Sequence, residues 1–358
     1  MLEEIENQPE AWARSIQIVE AMAGRLRKMA RGREEVLFTG CGSGLNAAEA
    51  IAPAFQRCTG IRARAVPAAE LVFFPETVLV PDSRALVVAI SRSGATTETL
   101  LAGEEARRRN LPTLALTCRP DSPLARQSTE AIVLEPAGER SVTTTQSLTS
   151  MVLSGQLAGG ILSGNAEYLG QLRRLPELAG ARMERFHRLG REVGEEAAIR
   201  KFAFVASGSL RGLAREAQLK IKEMVLLPAD AYPLLDYRHG PKSNVDRGML
   251  VTVLSTDRTR VVEDEFMAEM KSLLGRLLFI GQKADSGIAA SADYVVELES
   301  GLADFARDVL CLVPLHFLAY YKSLAEGQSP STPKNLSYWV RTEGLSGAGE
   351  SRGTGAPA

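Results

Sequence analysis

The 358-residue chain carries 42 basic and 43 acidic side chains, a formal net charge of −1, and 45% of its residues are hydrophobic. At roughly 100–200 residues per domain this is enough for two cores. Without a basic excess it is not a charge-driven nucleic-acid binder, and without an acidic run it has no solvating tail, so any anion it binds must be held by a local site.

Four cysteines, Cys41, Cys58, Cys118 and Cys311, are widely spaced and form no CxxC pair. The chain opens Met1-Leu2-Glu3-Glu4 with no charged-then-apolar leader, and no apolar run reaches the roughly 18 residues of a membrane span. The expectation is a reduced, cytoplasmic protein with no membrane contact. Three histidines, His187, His239 and His316, show no paired ligand spacing, so neither a metal site nor a cofactor is expected.

In chain order, residues 9–29 have helical periodicity, with Ile16, Ile18, Val19, Met22, Leu26 and Met29 toward one side. Residues 35–39 read as a buried strand, followed by the loop Gly40-Cys41-Gly42-Ser43-Gly44 and an Ala-rich helix from Leu45. A second strand, 85–90, runs into Ser91-Arg92-Ser93-Gly94 and a helix from Thr97; residues 113–117 and 131–134 are further strands. Apolar runs alternating with helices indicate an α/β fold built on a parallel sheet. The pattern then recurs: 203–206 leads into Ser207-Gly208-Ser209, and 249–254 into Ser255-Thr256-Asp257. Gly42 to Gly208 and Ser122 to Ser286 hold nearly one offset, which indicates a duplicated domain. The expected organisation is a helical segment 1–30, a first α/β subdomain 31–165, a helical connection 166–195, a second subdomain 196–340, and a disordered Gly/Ser/Ala-rich tail 341–358.

Three places carry chemistry. The strand-to-helix turn at Ser91-Arg92-Ser93-Gly94-Ala95-Thr96 offers hydroxyls, unpaired backbone N–H groups and the positive end of a helix dipole, a phosphate cradle by construction. The ordinary alternative is a helix cap, for which Ser and Thr are preferred anyway. Neither this loop nor the glycine loop is a Walker A or GxGxxG sequence, so a nucleotide is not the favoured ligand. The second place is a helix expected over 213–227. There Glu216, Lys220 and Glu223 fall on one face, whether as an ordinary solvated ion pair or as a site. The rigid segment Tyr237-Arg238-His239-Gly240-Pro241-Lys242-Ser243 follows, and His239 is the only histidine in such a setting. The third is Thr143-Thr144-Thr145-Gln146-Ser147, either a polar helix start or a set of hydroxyls around sugar oxygens.

In combination these segments resemble the SIS (sugar isomerase) family over roughly residues 4–340. They are Gly-Cys-Gly-Ser at 40–43, Ser-Arg-Ser-Gly-Ala-Thr at 91–96, Ser-Val-Thr-Thr-Thr at 141–145, Leu-Lys-Ile-Lys-Glu at 219–223 and Arg-His-Gly-Pro at 238–241. The resemblance implies two tandem flavodoxin-like subdomains and a homodimer with sites shared across its interface. It implies a sugar phosphate held by Ser91, Arg92, Ser93 and Thr96 with Ser43 nearby, and sugar contacts at Val142, Thr143 and Thr144. Glu223 matches the base that moves a proton between C1 and C2, His239 the residue that opens the sugar ring, often from the partner subunit, and Lys220 and Glu216 residues supporting the base.

Three departures stand out. No glutaminase domain precedes the first SIS half, so amination driven by glutamine is not expected of this chain. Tyr338 stands where the glutamine-dependent members carry a Schiff-base lysine, with Lys334 one helical turn away. Gly44 replaces a phosphate-contacting serine of those members. The implied activity is metal-free isomerisation or deamination of a hexose or amino-sugar 6-phosphate. The alternatives are a fructosamine 6-phosphate deglycase and a non-catalytic sugar-phosphate sensor.

Overall fold

The computed structural model describes residues 1–340, 342 and 344, so the tail expected over 341–358 lies almost wholly outside the described residues. Strands β1 (Glu35–Gly40), β2 (Arg62–Pro67), β3 (Ala85–Ile90), β4 (Thr113–Thr117) and β5 (Glu130–Val133) form a parallel sheet in the order β2-β1-β3-β4-β5. Strands β6 (Lys201–Ala206), β7 (Ala229–Pro233), β8 (Met249–Leu254), β9 (Arg276–Gly281) and β10 (Tyr294–Glu297) repeat that order as β7-β6-β8-β9-β10, again parallel. This is the flavodoxin-like winding twice over, and in each sheet the strand order reverses beside the first strand, where α/β sheets bind ligands. The central strands β3 and β8 are buried at every residue, which is why they read as uninterrupted apolar runs.

The helices that matter here are α1 (Gln8–Ala21), α2 (Ser43–Thr59), α3 (Thr97–Arg108), α4 (Gln146–Ser163), α5 (Met183–Glu195), α6 (Leu210–Lys220), α7 (Arg260–Ser272) and α8 (Leu312–Ala325). Helix α4 is buried from Gln146 to Ile161 and is the axis of the molecule. A Cβ on Gly155 of α4 would come within 2.5 Å of Ile51 on α2, so the two helices pack closely at that point. One apolar core passes from Val36 and Phe38 through Leu153 and Leu157 to Phe204 and Leu278, joining the lobes.

Two helices differ from the sequence reading. The stretch 9–29 is broken at Met22 (φ −92°, ψ 3°), and a second helix runs Ala23–Ala30; both pieces pack on α4, which a single straight helix could not follow. The helix expected to reach 227 is α-helical only to Lys220. It then widens into a π turn over Ile221–Val225, closed by an N–H to carbonyl bond from Leu226 to Ile221 at 3.0 Å. Leu226 stops it in the left-handed region at φ 62°, a conformation that costs a non-glycine residue about 1 kcal/mol or more.

Candidate active site

The loops at the carboxyl ends of β1 and β3 meet at the reversal point of the first sheet. They touch backbone to backbone: a Cβ on Gly44 would lie 2.6 Å from the Ile90 carbonyl oxygen. No side chain fits at 44 without a shift of that backbone. After β3, Ser91 Oγ lies 3.3 Å from Thr96 Oγ1 and 3.5 Å from Ser93 Oγ, and it accepts the Gly94 N–H at 3.1 Å. Gly94 itself sits at φ 60°, and a Cβ there would strike the Ser122 side chain. Thr96 caps α3, so three hydroxyls converge where the helix dipole is positive.

Arg92, expected to hold phosphate, lines the cleft and also has partners within the chain. Its guanidinium is buried; Nη1 donates to the Ser141 carbonyl at 3.0 Å and Nη2 to the Tyr338 carbonyl at 2.9 Å. The Tyr338 ring lies over it at 3.8 Å, and the Glu139 carboxylate is 3.8 Å away. Glu139, which the sequence did not single out, is fully buried and accepts from the Thr145 N–H at 2.5 Å, the Thr145 hydroxyl at 2.7 Å and the Ser147 hydroxyl. Burial pushes its carboxyl up, partly countered by Arg92 and these donors. Glu139 therefore ties the segment carrying Thr143 and Thr144 to the serine loop. The chain between 336 and 340 crosses the cleft as its outer wall, anchored by the Tyr338 hydroxyl donating to the Glu139 carbonyl at 2.8 Å. Lys334 is exposed and does not line the cleft.

The opposite wall comes from α6. Lys220 is 1% exposed and lies between two carboxylates, 3.1 Å from Glu216 and 2.6 Å from Glu223. Glu216 is wholly buried and accepts from Ser43 Oγ at 2.9 Å, Asn46 Nδ2 at 2.9 Å and Thr144 Oγ1 at 3.3 Å. The second lobe's helix is thus bolted to the first lobe's glycine loop. Burial pulls the Lys220 ammonium down, but Glu216 and Glu223 more than offset it and its pKa is raised, so it stays charged. Glu223, carried on the π turn, lines a cleft of about 270 Å³ together with Ser43, Ser91, Arg92, Ser93, Thr96, Val142, Thr143 and Thr144. Beside Lys220, on α8, His316 is 1% exposed with neither ring nitrogen partnered. Burial, reinforced by Lys220, drives its pKa down to about 3, so it adds no competing charge.

Eleven of the twelve residues expected at the site, all but His239, are thereby brought together by one chain. His239 is exposed at the end of the short turn Asp236–Arg238 and does not line the cleft; its neighbours Arg238 and Lys242 pair with Glu269. Among the described residues no cluster of His, Cys, Asp or Glu could hold a metal ion, and no helix is long and apolar enough to cross a membrane.

The SIS domain profile matches residues 29–159 and 197–307. The chain belongs to the SIS family. It is 29% identical to the AgaS protein of Streptomyces coelicolor, named for D-galactosamine-6-phosphate deamination, over 92% of this chain and 90% of that one. It is also 29% identical to the glutamine–fructose-6-phosphate aminotransferase of Pyrobaculum aerophilum, covering 96% of this chain but only 57% of the aminotransferase. The crystal structure of tagatose-6-phosphate ketose/aldose isomerase from Escherichia coli superposes with a TM-score of 0.84 at 27% identity, covering 92% of this chain and 94% of the isomerase. These relatives are named for the isomerisation, deamination or amination of sugar phosphates.

Proposed function

We propose that this SIS protein converts a 2-amino-sugar 6-phosphate or related hexose 6-phosphate to a ketose phosphate, with Glu223 as the proton shuttle. One observation carries the reading: of the two carboxylates on the buried Lys220, only Glu223 faces the cleft that holds the hydroxyl cradle. Glu216 is locked by Ser43 and Asn46 and serves to fix Lys220.

The phosphate takes the hydroxyls of Ser91, Ser93 and Thr96 and the α3 N-terminus, while Arg92 adds positive charge from behind. The open-chain sugar extends toward Thr144 and Glu223. Glu223 removes the C2 proton and returns it to C1 as the hydroxyl proton passes from O2 to O1, producing the ketose from an aldose. With a 2-amino group the same transfer leaves an imine at C2; water adds to it and ammonia departs. A carboxylate can accept and return one proton without other help. Lys220 stabilises the carboxylate form that Glu223 holds before the first transfer and regains after the second. His239 would open the ring from a second copy of the chain, since one chain does not bring it to its own cleft.

A panel of glucosamine, galactosamine and fructosamine 6-phosphates and neutral hexose 6-phosphates, assayed together for ammonia and ketose phosphate, tests this. One substrate should turn over, and Glu223→Gln should lower kcat about 10²–10⁴-fold with binding retained. Ammonia with ketose identifies a deaminase, ketose alone an isomerase, and amine released from a fructosamine 6-phosphate without ketose a deglycase. Tight binding with no turnover of any member would overturn the catalytic reading and leave a sensor.

A further inference from the structure

The second lobe repeats the serine loop of the first. Ser91 follows β3 and donates its N–H to the Leu116 carbonyl at 3.0 Å, Leu116 being the register partner of Ile90. Ser255 follows β8 and donates its N–H to the Ile280 carbonyl at 2.8 Å, Ile280 being the register partner of Leu254. The two serines occupy the same place in the duplicated fold. Each loop then enters a helix through a threonine, Thr96 before α3 and Thr259 before α7.

What the hydroxyls do differs. Around the first loop no acidic side chain accepts from Ser91, Ser93 or Thr96 among the described residues; these hydroxyls meet one another. In the second loop Ser255 Oγ donates to Glu263 Oε2 at 2.6 Å and Thr259 Oγ1 to Glu263 Oε1 at 2.6 Å. Arg260 Nη1 stands 3.7 Å from the same carboxylate, and Glu263 is 0% exposed. Two hydroxyls, an arginine and a helix N-terminus around a buried anion form the donor set of a phosphate site, here closed on a side chain of the protein itself.

We infer that the fold contains two equivalent anion cradles and that the Glu263 carboxylate fills the second, so that each chain takes a single phosphate monoester. The part concerning the first cradle rests on the function proposed above; the part concerning Glu263 does not. The surroundings agree with a closed site. The open depression next to Ser255 also presents Asp257 and Asp285, but these are taken up by Arg307 and Arg260 respectively. Removing Glu263 leaves the hydroxyls of Ser255 and Thr259 facing the vacated space together with the buried Nη1 of Arg260, whose Nη2 pairs with Asp264 and Asp285.

The test is inorganic phosphate binding, by calorimetry and by the phosphate-dependent rise in Tm, on five proteins: wild type, Ser91→Ala/Ser93→Ala, Glu263→Ser, the triple variant that combines them, and Glu263→Gln. Wild type should bind one equivalent per chain, the double variant none, Glu263→Ser two, and the triple variant one. Glu263→Gln, which keeps the bulk of the side chain, should gain no second equivalent. A Glu263→Ser protein that folds in phosphate but not in its absence also supports the assignment. A double variant that still binds a full equivalent overturns it, as does a Glu263→Ser protein that gains no binding or stays unfolded with phosphate present. If wild type binds none and Glu263→Ser binds one, the assignment of Glu263 stands and the reading of the first cradle fails.

Discussion

Replacing Lys220 with methionine removes one ammonium while nearly preserving the volume of the side chain. In the wild type that ammonium is enclosed at 1% exposure between Glu216 at 3.1 Å and Glu223 at 2.6 Å. Taking away one member of a buried ion pair typically costs about 3–5 kcal/mol, because the remaining charge is left without compensation. Here Glu216 retains donors from Ser43 and Asn46, which places the expected loss near the lower bound, about 3 kcal/mol. For a chain of this size that is a fall in Tm of roughly 6 °C, at about 2 °C per kcal/mol. The pH dependence follows from the raised pKa of Lys220 in the fold. A cation whose folded pKa exceeds its unfolded value, about 10.4, gives its full stabilisation below that value and loses it as pH rises through the folded value. Urea denaturation of wild type and Lys220→Met should therefore differ by a constant amount from neutral pH to about pH 10 and converge above it. A loss under 1 kcal/mol at pH 7.5, or a gap that widens above pH 10, would refute the reasoning.

Tyr338→Phe should weaken the 336–340 wall by about 1 kcal/mol through loss of the hydroxyl bond to the Glu139 carbonyl. Tyr338→Ala should also lose the stacking on Arg92, about 1–2 kcal/mol; both should raise KM more than they lower kcat, and an unchanged KM for Tyr338→Ala would count against the wall. Asp308, wholly buried and accepting from Gln156 of α4 at 3.0 Å, has its pKa pushed up to about 6 by burial. It favours the fold while protonated, and that contribution is lost as pH rises from the unfolded value near 4 to about 6, a change of order 2–3 kcal/mol. Asp308→Asn should flatten the stability curve over that window, measured by urea denaturation at pH 4.5 and 7.

The sequence was most legible where burial is complete on both faces. Strands β1, β3, β4, β6 and β8 are largely apolar runs, all but β4 ending in Gly/Ser loops, and parallel sheets demand such runs. Edge strands β2, Arg-Ala-Arg-Ala-Val-Pro, and β7, Ala-Asp-Ala-Tyr-Pro, carry no such run because one side of each meets solvent, and neither was foreseen. Strand β9, Arg-Leu-Leu-Phe-Ile-Gly, was legible in principle, since the duplication calls for a strand there. The π turn under Glu223 was not, because a helical face drawn at constant pitch continues smoothly through Ile221–Val225. Nor was Glu139: a carboxylate in Gly-Glu-Arg reads as a charged surface loop, and only the folded chain shows it buried under Thr145 and Ser147.

The site exists only because the two lobes hold one another in register, and one tight point of that register lies where α2 meets α6. Helices α2 and α6 cross at Gly212, where an added Cβ would lie 2.4 Å from both the Asn46 carbonyl oxygen and the Ala50 nitrogen. Both obstacles are backbone, so neither can swing aside. One helical turn further along α6, Glu216 accepts from Ser43 and Asn46 of α2, and Lys220 and Glu223 follow. In isolation Gly→Ala favours a helix by about 1 kcal/mol. At Gly212 it must instead push α6 from α2 by about an ångström, and overpacking of this kind costs about 1–3 kcal/mol. A displacement of that size at a reacting carboxylate can cost about 10²-fold in rate. Gly212→Ala should therefore lower both Tm and kcat, while phosphate affinity, set by the first lobe alone, stays near wild type. A variant that is more stable than wild type and equally active would show that the crossing of α2 and α6 does not set the position of Glu223.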